Sequence, residues 1–261
     1  MLVRTISALI GAPLLLGLTY LGGYYTAFLI SVLSFLALWE FLRLGERIGV
    51  KAWYIPVFGA SFMWLLTVFW GEGVWRLPLL VLWLLVSLGM FALTYPEFDL
   101  HSALYNFLSM FYPVALMSHL YLVRELPSGI KWAFLTFFLV WSTDTGAYII
   151  GRSLGRHLLA PKVSPKKTVE GSVGGFLTSV GVGLILWRSM GGAPLEVFLG
   201  LAVIVGITAQ VGDLFESALK RSAQVKDSGS LIPGHGGILD RFDSFMFALP
   251  LVYYFLVIFK F

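Results

Sequence analysis

Acidic and basic side chains make up only 12% of these 261 residues, and they concentrate where chemistry can use them. The densest stretch is Ser217–Asp243, SALKRSAQVKDSGSLIPGHGGILDRFD. It carries Lys220, Arg221, Lys226, Asp227, Asp240, Arg241 and Asp243, with His235 set among Gly234, Gly236 and Gly237. Just upstream, Gln210, Asp213 and Ser217 share one helix face at i, i+3 and i+7, and Glu216 and Lys220 form an i, i+4 pair. Asp144 stands among Ser142, Thr143 and Thr145 near the end of an apolar run, and the loop after it carries Lys162, Lys166 and Lys167. Carboxylate oxygens suit Mg2+, which binds one or two of them and completes its shell with water and phosphate oxygens. Asp213 and Asp240, together with Asp243 and Asp144, are therefore candidate ligands to one or two cations. Glycines beside His235 let backbone N–H groups approach an anion closely. His235, Gly236 and Gly237 are candidate phosphate contacts, with general acid and loop cap as the other roles open to His235.

Each of these groups also has a plainer reading. Asp240 and Asp243 open a helix at i, i+3, where the dipole favours acids. Asp144 can pair with Arg152, and a lysine-bearing loop can simply rest near anionic lipid. Glu40, three residues before Arg43, reads as an interfacial ion pair rather than as part of a site. Trp39, Trp53, Trp64, Trp70, Trp75 and Trp83 read as anchors at span ends. The absence of cysteine excludes disulfides and thiolate chemistry, and no Walker A or Ser-His-Asp pattern occurs.

The elements that position these groups are membrane helices. With 58% hydrophobic residues and a mean hydropathy of +0.87, the chain exceeds ordinary globular composition. Its apolar runs reach spanning length, about 17 to 25 residues. The pattern predicts an all-α polytopic integral membrane protein of about nine transmembrane helices, near 4–21, 23–43, 52–70, 74–94, 103–123, 131–150, 171–190, 194–220 and 242–259. Arg4, Arg43, Arg47, Lys51, Arg152, Arg156, Lys162, Lys166, Lys167, Lys220, Arg221, Lys226 and Arg241 then share one side, against Arg76, Arg124, Lys131, Arg188 and Lys260 on the other. The positive-inside rule puts the N-terminus and both polar loops in the cytoplasm. Residues 1–125 form a scaffold whose largely uncharged surface suits a homodimer. Residues 126–261 form a catalytic region with polar loops at 151–170 and 220–241. Pro161 and Pro165 make the first of these extended. Gly171, Gly175, Ser179 and Gly183 form an i, i+4 stripe that admits a neighbouring helix at short distance.

The polar stretch resembles the signature of the phosphatidate cytidylyltransferases, or CDP-diacylglycerol synthases. The matching positions are Ser217, Leu219, Lys220, Arg221, Lys226, Asp227, Gly229, Ile232, Pro233, His235, Gly236, Gly237, Ile238, Asp240, Arg241, Phe242 and Asp243. DTGAY from Asp144, Gly151 with Arg152, Ala160 with Pro161, and SPKKTVEG from Ser164 are also similar to that family, with Val169 where a tryptophan is usual. The resemblance implies the reaction of CTP with phosphatidic acid to give CDP-diacylglycerol and pyrophosphate, assisted by Mg2+, in a bacterial inner membrane with the site facing the cytoplasm. The reading of the residues fits that reaction, with Asp213, Asp240, Lys220 and Arg241 expected to be catalytic. Lys166, Lys167, Arg221, Lys226, Asp227, His235, Gly236, Gly237 and Ser217 are expected to bind substrate. Partners are then CTP, phosphatidic acid, membrane lipids and a second copy of the chain, without a nucleic acid polymer. A CTP-dependent kinase of a lipid alcohol is the nearer rival. An ion-coupled transporter, which also places acids within helices, is the more distant one.

Overall fold

The computed structural model describes residues 2–261 except Glu72, Pro233 and His235, with residues 2–6 and 8 described as helix only. Its helices are α1 (Leu2–Leu21), α2 (Gly23–Arg47), α3 (Tyr54–Phe69), α4 (Arg76–Thr94), α5 (Leu100–Met110), α6 (Leu116–Glu125), α7 (Gly129–Leu154), α8 (Val169–Met190), α9 (Leu195–Ser222) and α10 (Leu239–Ile258). Pro113, which cannot donate a backbone bond, sits in a π turn, Phe111–Ala115, that joins α5 to α6 as one continuous span. Helices therefore stand at all nine expected places. Among the described residues, seven spans are long and apolar enough to cross a membrane. The other two apolar segments, Leu9–Leu21 of α1 and Tyr54–Phe69, are shorter.

The chain divides into two compact units, Met1–Leu122 with Ser222–Arg241, and Val123–Arg221 with Phe242–Phe261. The polar segment after α9, assigned above to the C-terminal region, thus packs with the first unit. In that unit Gly22 and Gly23 adopt positive φ and turn α1 tightly into α2, across which the Thr26 hydroxyl donates to the Leu18 carbonyl at 3.0 Å. Helix α2 is the core element, with Ile30, Ala37, Leu38 and Leu42 fully buried. Tyr105 of α5 stacks on Phe41 and donates to its carbonyl at 2.7 Å. Asn106 closes the α2–α3 loop by accepting from Trp53 N at 2.7 Å and donating to Lys51 O at 2.8 Å.

Three of the tryptophans read as interfacial anchors are core residues instead. Trp53, Trp64 and Trp83 are buried, and the Trp64 and Trp83 indoles donate to Ser118 Oγ and Phe107 O at 3.2 Å each. Trp39, Trp70 and Trp75 are exposed. An indole can satisfy its N–H either at the headgroups or inside a bundle, and linear position does not distinguish the two.

In the second unit, the extended loop after α7 is an antiparallel hairpin, β1 (Leu158–Ala160) and β2 (Ser164–Thr168), with Pro161 in its turn. Thr168 ends β2 and caps α8, its hydroxyl accepting from Gly171 N at 3.1 Å. Glu170 ties the base of the hairpin by accepting from Arg156 N and His157 N at 3.0 and 3.2 Å. The small-residue stripe on α8 works as expected, though against two partners. A Cβ on Gly175 would lie 2.6 Å from the Thr143 carbonyl of α7, whereas one on Gly183 would lie 2.8 Å from Ala202 Cβ of α9. Ser179, between them, donates to Ala202 O at 2.9 Å.

Candidate functional site

The close approach of α7, α8 and α9 leaves a cavity of about 560 Å³. Asp144, Tyr148 and Arg152 reach it from α7, Lys166 and Lys167 from β2, Ser172 from α8, and Gln210 and Asp213 from α9. The Lys167 ammonium lies 2.6 Å from Asp213 Oδ2, and Ser217 Oγ donates to Asp213 Oδ1 at 3.4 Å. Gln210 spends its amide donors on Gly206 O at 2.7 Å and Ser172 O at 3.1 Å, which locks α9 to α8 beside the cavity. Arg152 donates to the Tyr148 hydroxyl at 2.9 Å.

Around the cavity stand further members of the expected set. Asp243 of α10, only 9% exposed, is within electrostatic reach of Asp213, Asp144 and Lys220. Gly212 makes room for this packing, since a Cβ there would strike the Asp243 carbonyl oxygen. The i, i+4 pair holds: Lys220 is bonded to Glu216, whose side chain is fully buried. An ion pair of that kind neutralises a buried acid and fixes the lysine head at one depth. Arg221 donates from Nε to Val163 O at 3.3 Å, linking the end of α9 to the hairpin turn.

The other expected residues lie in the first unit and form a second cluster. Asp240 Oδ2 accepts from Ser228 N, Ser228 Oγ and Gly237 N at 2.9, 2.9 and 2.8 Å. Gly236 has φ of +86°, and a Cβ on it would meet Asp240 Oδ2. The backbone donor of Gly237 thus does meet an anion, one supplied by the chain itself. Lys226, Asp227 and Arg241 are exposed, and His235 lies outside the described residues.

Glu40 is the member of this cluster that linear reading missed. It is not an interfacial partner of Arg43, whose guanidinium lies 5.7 Å from the Trp39 ring centroid. The Glu40 carboxylate is 3% exposed and accepts from Ile238 N at 3.0 Å and Leu239 N at 2.9 Å, and the Ser228 hydroxyl lies 3.0 Å from its Oε2, its one proton shared between Glu40 and Asp240. The signal was present as a carboxylate inside an apolar helix. A basic residue three positions away supplied a local partner that made the long-range one invisible.

The donor set fits a hard divalent cation, because carboxylate oxygens are what Mg2+ takes, one or two at a time. Among the described residues, no group of three or more acidic or imidazole side chains is arranged to hold one ion. A cation here would therefore draw the rest of its shell from water and a ligand's oxygens. Lysines and an arginine beside carboxylates, in a cavity walled by membrane helices, suit a phosphate ester with its counter-ion.

Comparisons with known proteins point to the same chemistry. The family model for the cytidylyltransferase family matches residues 2–259. The phosphatidate cytidylyltransferase of Staphylococcus saprophyticus is 37% identical over 97% of this chain and 97% of its own length. Those of Staphylococcus haemolyticus and Staphylococcus aureus strain COL are each 35% identical over the same shares. This chain belongs to the cytidylyltransferase family.

Proposed function

We propose that the protein is a phosphatidate cytidylyltransferase, which transfers CMP from CTP to phosphatidic acid and releases pyrophosphate. The observation that carries this reading is the cavity in which Lys167 pairs with Asp213, with Lys166, Arg152 and Asp144 on the same walls. The lipid phosphate is already an anionic nucleophile, so the reaction needs no strong base. One of its oxygens bonds to the α-phosphorus of CTP while the bond from that phosphorus to the bridging oxygen of pyrophosphate breaks. Lys166, Lys167 and Arg152 offset the phosphate charge, which grows on the leaving group. Asp213, with Asp243 and Asp144, would hold Mg2+, which when bound supplies Lewis-acid neutralisation of phosphate oxygens. Lys220, fixed by Glu216, adds positive potential near Asp243. For Arg221, Lys226, Asp227, Arg241, His235 and a metal role of Asp240, the signature is the support.

The site faces the cytoplasm of a bacterial inner membrane in this reading, because the positive-inside distribution places both polar loops there. Phosphatidic acid keeps its chains in the bilayer and CTP arrives from water. Exposed apolar residues on α1 and α4, such as Leu14, Leu82 and Leu85, are surface for lipid or for a second copy of the chain in a homodimer. The test uses purified protein, phosphatidic acid and CTP labelled in the cytosine ring. Label recovered in lipid with release of pyrophosphate is the expected result. No labelled lipid from phosphatidic acid, but release of labelled CDP when a lipid alcohol is supplied in its place, would instead identify a lipid kinase.

A further inference from the structure

We propose that Glu40 is a positioning residue for the signature loop, the internal anion that holds its two ends, Ser228 with Gly229 and Gly237 with Ile238 and Leu239. This rests on the cytidylyltransferase reading. The loop is built around that carboxylate at both ends. Ile238 and Leu239 donate to separate oxygens, so the carboxylate fixes the direction in which the chain enters α10 as well as its depth. From the other end, the Ser228 hydroxyl contacts Glu40 Oε2 at 3.0 Å and Asp240 Oδ2 at 2.9 Å, so one side chain couples the two acids.

The glycines of the loop follow from the same contact. A Cβ on Gly229 would stand 2.5 Å from Glu40 Oε1, and one on Gly237 would strike both Ser228 Oγ and Glu40 Oε2. These two positions exclude side chains because the Glu40 carboxylate occupies the space, whereas Gly236 is required by its positive φ. Apolar packing could hold a loop against α2, but it has no direction. A carboxylate read by two backbone donors, with the Ser228 hydroxyl beside it, orients the peptide planes that carry Asp240 and Arg241 into the last helix, and the cost of burying it is offset only while those donors stay in place.

Three variants of the full-length protein test this: Glu40→Gln, Gly237→Ala and the double variant. Glutamine keeps the volume of Glu40 but offers one carbonyl oxygen to two backbone donors. Expected for Glu40→Gln is a kcat for CDP-diacylglycerol formation lowered about 10- to 100-fold, by analogy with small misplacements of catalytic groups. The thermal midpoint should fall by several degrees, because one buried N–H loses its acceptor, and hydrogen exchange at Ile238 and Leu239 should rise about tenfold or more. Because both substitutions act through one contact, the double variant should fall no further than the worse single within about twofold. Wild-type kcat with unchanged exchange at Ile238 and Leu239, or effects of the two changes that multiply, would overturn the proposal. If Glu40→Gln does not fold, Ser228→Ala decides. A kcat loss of about fivefold or more at an unchanged midpoint supports it, and wild-type kcat sinks it. A wild-type protein that makes no CDP-diacylglycerol would refute the functional reading alone, and the exchange measurement would then decide the role of Glu40.

Discussion

Replacing Gly175 with alanine should damage catalysis far more than the loss of one glycine suggests. The new Cβ would stand 2.6 Å from the Thr143 carbonyl oxygen, 2.9 Å from Ala147 Cβ and 3.2 Å from Ala147 N. Two of these three are backbone atoms of α7, so no rotamer change relieves the clash. Reaching ordinary contact at 3.4 Å requires α7 and α8 to part by about 0.8 Å, the difference between 3.4 and 2.6. Overpacking of this kind costs about 1–3 kcal/mol. At roughly 2–4 °C per kcal/mol for a chain of this size, the thermal midpoint should fall by about 2–12 °C. The larger effect is geometric. Thr143 adjoins Asp144, and the opposite face of the parting is the start of α8, so the cavity walls shift by nearly an ångström. A displacement of about 1 Å costs up to about 100-fold in rate, and we expect kcat/KM to fall about 10- to 100-fold. Gly181→Ala is the control: it makes the same chemical change in the same helix, where nothing lies within 4 Å of the new Cβ. It should leave rate and midpoint near wild type. Gly175→Ala with kcat/KM within twofold of wild type, or Gly181→Ala as harmful as Gly175→Ala, would refute the reasoning.

Other outcomes can be checked with the same assay. Asp213→Asn removes the charge that holds Lys167 in the cavity and should lower kcat by about 100-fold or more with little change in midpoint. Asp240→Asn replaces an acceptor of three hydrogen bonds and should also abolish turnover, in this case with raised hydrogen exchange at Ser228 and Gly237. Activity of either variant near wild type would remove that residue from the site. Treatment with a chelator should bring product formation to background and added Mg2+ should restore it; undiminished turnover in excess chelator would remove the cation from the proposal.

Helices and their approximate limits were legible because they are decided within a few residues, whereas the pairing of the extended loop into a β-hairpin was not read. Gly22 and Gly23 and the apolar run lengths locate turns and spans through local chain stiffness and hydropathy alone. The Glu216–Lys220 pair and the stripe from Gly171 to Gly183 were equally readable, since helical periodicity puts them on one face. The family signature identified the chemistry for a related reason, because it lies in one continuous stretch.

What the sequence could not supply was partner choice across helices. That Lys167 meets Asp213, that Trp64 finds Ser118 rather than headgroups, and that Glu40 turns inward to Ile238 and Leu239 all depend on the rotation and depth at which helices pack. Those are set by the summed side-chain volumes of several elements, not by any one segment. The sequence by itself therefore determined the spans, the polar stretches and the reaction they suit. Tertiary structure alone decided which carboxylate meets an ammonium in the cavity and which is enclosed by a loop, because electrostatic pairing acts over a few ångströms that linear distance does not encode.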